Sequence, residues 1–220
     1  MDNLSSSEWD DHWDNSNVIS DYHLLYYNFL KSLTKKLPRD AKILEAGCGS
    51  GRGMACFTRH EVHGIDISDR AIELSRKYGR VKKGDVQKIP FNDNTFDLTY
   101  NSGVIEHLED PSIAVREMVR VTKQNGLVVI IVPNKYCLFY QIYKKLFWHI
   151  GEKPFSFNDF KKNFKEYKNK KFFGLHSFIP FATSKTEFLP LKIRQKIVKI
   201  DNLIPFKQYH AYAIGVIIKK

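Results

Sequence analysis

Apolar residues recur at intervals of three and four between Asp21 and Leu37, at Tyr22, Leu25, Tyr26, Phe29, Leu30 and Leu33, which predicts a helix that Pro38 stops. From Lys42 the period changes. Short apolar runs alternate with amphipathic stretches, the pattern of strands and helices alternating around a parallel sheet. Strands are predicted at Lys42–Ala46, Val62–Asp66, Val81–Asp85, Phe96–Tyr100 and Leu127–Val132. Helices are predicted at Arg52–Arg59, Ser68–Tyr78 and Ser112–Lys123, with Gly126 as the C-terminal glycine of the last. Beyond Pro133, Tyr136–Ile150, Asn158–Tyr167 and Leu191–Ile204 read as helices, with Phe160 and Phe164 sharing one face of the second. Phe172–Phe178 and Tyr209–Ile218 read as two final strands, so the expected fold is α/β with a seven-stranded, mostly parallel sheet.

At 220 residues and 43% hydrophobic content the chain suits one domain, or one domain with a substrate-binding appendage, and it has ample material for a core. Met1–Ser16 is polar and reads as a loose arm, although Trp9 and Trp13, at helical spacing, can dock it. The longest apolar run, Leu127–Pro133, is far short of the ~20 residues a membrane span needs. The acidic start lacks the basic and apolar regions of a signal peptide, so a cytoplasmic protein is expected. Cys48, Cys56 and Cys137 have no metal-ligand spacing and are expected to be reduced and structural.

The net charge of +11 is unevenly distributed. Residues up to Asp110 carry 14 Lys and Arg against 18 Asp and Glu, whereas those after it carry 21 against 6. Lys135–Lys171 alone holds 10 basic and 3 acidic residues together with 11 aromatics. A partner of anionic or amphiphilic character would suit this half.

The segment Glu45-Ala-Gly-Cys-Gly-Ser-Gly51 falls where the first strand turns toward the first helix, the place where open α/β sheets bind nucleotide-like ligands. A dinucleotide fingerprint would need a third glycine at position 52 or 54, which are Arg52 and Met54, and no phosphate-loop Gly-Lys-Ser or Gly-Lys-Thr follows. A pyrophosphate ligand is therefore not indicated. Glu45 beside the turn suits a cationic amine. Asp66 ends the second strand, where an acid can accept from two ribose hydroxyls. Asp85 can accept from an adenine amine, with Val86 against the ring. Amine, ribose and adenine together describe S-adenosylmethionine.

The ordered motifs EAGCGSG, GIDIS, GDVQKIPFNDNTFDLTYNSGVIEHLEDP and EMVRVTKQNGLVVIIVPN, over Lys42–Asn134, resemble the class I S-adenosylmethionine-dependent methyltransferases. The likeness is greatest to their small-molecule, quinone-biosynthesis branch. It implies a Rossmann-like sheet with helices on both faces and an antiparallel last strand. It also implies that Gly47, Gly49 and Gly51 contact the methionine part, that Asp66 holds the ribose and that Asp85 reads adenine. Cys48, Ile67 and Asn101 complete the expected cofactor-binding set. Three parts are expected: residues 1–38 covering the cofactor site, a cofactor-binding core over 39–134, and 135–220 completing the sheet and forming the acceptor pocket.

Methyl transfer from a sulfonium needs mainly positioning, plus removal of a proton from many acceptors. Glu106 and His107 follow the fourth strand, where the resembling quinone O-methyltransferases carry a Glu-His pair serving as base or metal site. His107 is the candidate base, with ring packing on the cofactor or helix capping as the competing roles. Two ligands define no metal centre, so none is expected. Of His149, His176 and His210, His176 is the second candidate. In Tyr136–Ile150 the aromatics lie among Lys144 and Lys145, which fits either peripheral membrane contact or a helix packed on the sheet. Asn101-Ser-Gly-Val104 differs from the Asn-Pro-Pro-Tyr of base-amine methylating enzymes, so nucleic acid is the weaker acceptor reading. A small-molecule or lipid- or glycan-linked acceptor is expected, with an RNA methyltransferase or a cofactor-binding protein without turnover as alternatives.

Overall fold

The computed structural model describes residues 5–15, 22–35, 37–137, 141, 153–175, 209 and 211–220. Seven strands form one sheet: β1 (Lys42–Ala46), β2 (Glu61–Asp66), β3 (Arg80–Lys83), β4 (Phe96–Ser102), β5 (Thr122–Pro133), β6 (Lys170–Leu175) and β7 (Ala213–Lys219). Their order is β3-β2-β1-β4-β5-β7-β6. Strands β1 to β5 pair in parallel, while β7 runs antiparallel to both β5 and β6. Among the described residues the α-helices are α1 (Ser6–Asn15), α2 (Tyr22–Thr34), α3 (Asp69–Ser75), α4 (Pro111–Val121) and α5 (Phe157–Lys162).

Alternate residues of a strand face opposite sides, so a strand covered on both sides reads as a continuous apolar run. In β5, Val128, Ile130 and Val132 pack with Ala114, Val115, Met118 and Val121 of α4 and with Phe160 of α5. Val129 and Ile131 pack on the other side with Tyr26, Leu30 and Leu33 of α2 and with Met54 and Phe57. Helices thus cover both faces, as the family resemblance implied. The helices expected within Tyr136–Ile150 (apart from residues 136, 137 and 141) and at Leu191–Ile204 lie outside the described residues. So do Phe178 and the histidines His149, His176 and His210.

Several boundaries differ from the sequence reading. The segment after the glycine loop forms only a 3-10 turn over Met54–Phe57, because Gly51 is held at φ +76° and Gly53 lies against the Glu45 carboxylate. Strand β3 stops at Lys83, leaving Asp85 two residues past its end in a turn closed by Lys88 N–H on the Asp85 carbonyl. Helix α4 ends at Val121, where Thr122 turns extended and donates its hydroxyl to the Met118 carbonyl at 2.7 Å. Gly126 is therefore not a helix cap but a residue of β5, and Asn125 takes the positive φ of 65°. A Cβ on Gly126 would lie 2.7 Å from Thr122 Cγ2, 2.9 Å from the Lys123 carbonyl oxygen and 3.0 Å from that of Asp97.

Two of those three neighbours are backbone and cannot swing away. Gly126→Ala should therefore destabilise the fold by about 1–3 kcal/mol, the usual cost of overpacking. Urea denaturation at unchanged m-value is the measurement, and a midpoint equal to wild type would show that the backbone here yields.

Candidate functional site

The carboxyl ends of β1, β2 and β4 meet at one edge of the sheet, and the loops leaving them are in contact. After β1 the chain turns sharply with Gly47 at φ +79° and Gly49 at φ +48°. Gly47 and Cys48 both donate their N–H to the Ile65 carbonyl, at 2.9 and 2.8 Å, which fastens the loop to β2. A Cβ on Gly47 would stand 2.5 Å from Val104 Cγ2, and one on Gly51 would stand 2.7 Å from Ser75 Cβ. Glycine is required here both by the left-handed backbone and by the closeness of neighbouring loops.

Asp66, at the end of β2, is 7% exposed. Its Oδ2 accepts from Gly49 N–H at 2.8 Å and its Oδ1 from Ser68 N–H at 3.0 Å. Burial pushes this carboxyl up, opposed by the Ser68 and Gly49 backbone donors. Ile67 is half-buried beside it. Cys48 is buried, its sulfur 3.6 Å from the Ser75 hydroxyl, and burial pushes the thiol well above its ordinary value. The three cysteines form no disulfide among the described residues.

Glu45 is 5% exposed and turned toward the turn that follows the glycine loop, where a Cβ on Gly53 would lie 2.4 Å from its Oε1. Burial pushes its carboxyl up to about 8 against the pull of the Tyr100 hydroxyl and the Met54 N–H. Oε2 has no hydrogen-bond partner among the described residues. Asn101 lies beneath the loop, donating from Nδ2 to the Ala46 carbonyl at 2.6 Å, and its buried Oδ1 has no hydrogen-bond partner among the described residues.

Past β4, Gly103 at φ +70° leads through Val104 into a 3-10 turn over Ile105–His107. Because Val104 packs on Gly47, this turn stands beside the glycine loop. Glu106 is buried, whereas His107 is half-buried with its ring edge-to-face on Trp9 at 4.9 Å. Glu45, Gly47, Cys48, Gly49, Gly51, Asp66, Ile67, Asn101, Glu106 and His107 thus gather around two adjoining loops. Asp85 stands apart from the buried groups. It is exposed, its Oδ1 accepting from Gln87 N–H at 2.8 Å, and Val86 is buried in the core with Leu44 and Ile65.

The sequence reading missed Val104, which packs the two loops together, and Tyr100 with Gly53, which surround Glu45. No spacing rule marks such neighbours. It also missed Asp10, between Trp9 and Trp13, for which those two tryptophans were the available signal.

Residues 44–130 match a family model described as a methyltransferase domain. That segment is thus similar to the S-adenosylmethionine-dependent methyltransferase domain. Over 99 residues the chain is 37% identical to a probable S-adenosylmethionine-dependent methyltransferase of Mycobacterium tuberculosis, covering 42% of this chain and 36% of that one. Over 122 residues it is 29% identical to a demethylmenaquinone methyltransferase of Staphylococcus aureus, covering 50% and 51%. The chain thus spans about half or less of the length of these relatives. The crystal structure of an S-adenosylmethionine-dependent methyltransferase from Thermotoga maritima, described as a possible histamine N-methyltransferase, shares the fold at a TM-score of 0.64 and 18% identity, over 90% and 91% of the two chains. Methyltransferases of this family and fold use S-adenosylmethionine as methyl donor. Among the described residues no group of three His, Cys, Asp or Glu side chains could hold a metal ion, and no helix is long and apolar enough to cross a membrane.

The elevated Glu45 carboxyl makes a signed prediction. A carboxyl whose folded pKa lies above its unfolded value holds a proton in the native state that the unfolded chain has lost, so stability falls as pH rises between 4.5 and about 8. Glu45→Gln removes that loss. Without ligand, the variant should melt higher than wild type at pH 8.5, by on the order of 10 °C. At pH 4, below the unfolded value, the two should nearly coincide. A melting difference that does not change with pH would refute the elevated carboxyl.

Proposed function

We propose that the protein transfers a methyl group from S-adenosylmethionine to a small-molecule acceptor, with the cofactor lying across the Gly47–Gly51 loop and Asp66. The observation carrying this reading is the contact of Val104 with Gly47, since it brings the Glu106–His107 turn beside the loop that would hold the donor.

The buried groups fit the cofactor's chemistry. A carboxylate oxygen can accept two hydrogen bonds, so Asp66, with one backbone donor on each oxygen, retains capacity for both hydroxyls of a ribose. Glu45 Oε2, buried and unpartnered among the described residues, suits the cofactor's ammonium group. Arrival of a cation there would favour the ionised carboxylate and release a proton near neutral pH. The left-handed loop lets backbone N–H groups approach the ligand closely. Asp85, exposed past the end of β3, is the residue proposed to reach the adenine amine.

When bound, the cofactor supplies an electrophilic methyl on a sulfonium, and the protein aligns the acceptor opposite the departing sulfur. Such alignment supplies roughly 7–11 kcal/mol of the barrier reduction in well-oriented systems. His107 takes the acceptor's proton as the new bond to carbon forms, and Glu106 beneath it supports the turn, its carbonyl accepting from Lys153 N–H at 3.1 Å. The acceptor is an anionic or amphiphilic small molecule. The excess of 21 basic over 6 acidic residues after Asp110 supports this, as does similarity to a demethylmenaquinone methyltransferase.

Two variants test the assignment. Asp66→Ala should cost S-adenosylhomocysteine binding roughly 1.5–3 kcal/mol by calorimetry, the worth of hydrogen bonds to a charged group. Full affinity in this variant would remove the ribose role. His107→Ala should keep cofactor affinity but lower kcat roughly 100-fold with quinone-precursor acceptors, followed by transfer of labelled methyl. Undiminished kcat would take His107 out of the reaction.

A further inference from the structure

Helix α1 contributes no residue to the two apolar clusters of the sheet's core, yet it contacts α3, the glycine loop and His107. Its sequence, Ser6-Ser-Glu-Trp-Asp-Asp-His-Trp-Asp-Asn15, is polar and ten residues long, too short to be stable as an isolated helix, so docking must hold it. One stripe, spaced by four, faces the chain that leaves β2. Ser6 Oγ donates to the Ile67 carbonyl at 2.7 Å. Asp10 Oδ1 accepts from Ser68 Oγ at 2.5 Å and from Arg70 N–H at 3.0 Å. Asp14 pairs with Arg70 Nε at 2.7 Å. These bonds converge on residues 67–70, the four that follow Asp66.

The neighbouring stripe carries the tryptophans. Trp9 meets the His107 ring edge-to-face, and the Trp13 indole lies on Gly49, where a Cβ would be 2.4 Å from its Cζ2. Gly49 is also the residue whose N–H holds Asp66. A helix serving only as packing would bury its aromatics against apolar side chains. These two rings instead rest on the glycine loop and on the candidate base, the two sides between which a methyl donor would lie. Asp10 reaches Ser68 and Arg70 through hydrogen bonds near the surface, which open at small cost compared with core contacts.

We propose that α1 is the cover of the cofactor site, with Trp13 a cofactor-contacting residue on the glycine loop and Asp10 the latch whose release admits and discharges the cofactor. This rests on reading the Asp66–Gly49 cradle as the cofactor site. Cofactor exchange then requires α1 to undock, and Trp9 returns to His107 when the cover closes, so that one movement encloses the donor and orders the candidate base.

Hydrogen–deuterium exchange on the full chain, with and without S-adenosylhomocysteine, should show amides of residues 6–15 slowed by the ligand. Asp10→Ala should speed both association and dissociation of S-adenosylhomocysteine, by roughly threefold or more, in stopped-flow chase experiments. Trp13→Ala should weaken binding mainly through faster dissociation, and Trp13→Phe should recover most of the loss. Unchanged protection of α1 on ligand addition, or a dissociation rate in Asp10→Ala equal to wild type, would overturn the cover. If S-adenosylhomocysteine binds wild type and loses affinity in Asp66→Ala while α1 amides remain indifferent, the cofactor reading stands and the cover alone falls. If wild type does not bind it at all, both fall.

Discussion

The buried carboxylate of Asp66 ties together three segments distant in sequence. By accepting from Gly49 N–H and Ser68 N–H it fixes the loop after β1 and the entrance to α3 relative to the end of β2. Ser68 in turn caps α3, its hydroxyl oxygen accepting from Ala71 N–H at 3.0 Å, and receives α1 through Asp10. An acid in so enclosed a place is costly to ionise, and backbone donors aimed at it offset that cost. The loop's geometry, the seat of α1 and the ribose-binding capacity proposed above all depend on this one side chain.

Around that point the site is built from close approach more than from charge. Val104 against Gly47, Ser75 against Gly51 and the Glu45 carboxylate against Gly53 each occupy the place of a missing Cβ. The glycine loop is therefore fitted to the side chains of Val104, Ser75 and Glu45, and a methyl group added to Gly47 or Gly51 would push it off its partner. Burial raises the Glu45 carboxyl to about 8 and leaves one of its oxygens without a partner among the described residues. A site that carries such a cost in the ligand-free chain is expected to recover it when a cation arrives.

Strands β1, β2 and β4 were legible because each pairs a compact apolar run with a turn signal, and the motif order then located Glu45, Asp66 and the Glu106–His107 turn. The end of α4 was not legible. Gly126 looks like a helix cap, but Thr122 had already satisfied the last turn through Met118, and the glycine serves a tight fit inside β5. The helix expected after the glycine loop was overruled by the loop's own left-handed residues and by the contact between Gly53 and Glu45. The docking of α1 was only half visible. Trp9 and Trp13 marked a face, but nothing local could say that it would meet Gly49 and His107, residues dozens of positions away.

The two borders of the sheet have a consequence for how the molecule behaves among its own kind. Every sheet that does not close leaves unpaired backbone groups along its outer strands, and these can recruit another chain. Here one border is β3, only four residues long and reading Arg80-Val-Lys-Lys83, and the other is β6, which opens with Lys170 and Lys171. Arg80 and Lys83 are paired with Glu61 and Asp69, which leaves Lys82, Lys170 and Lys171 as the cations that disfavour a second copy approaching edge to edge. The very apolar β5, the segment most prone to such pairing, is shielded in the middle of the sheet by β4 and β7. Part of the positive charge in this chain thus stands where edge-to-edge pairing of the described sheet would form, apart from any acceptor.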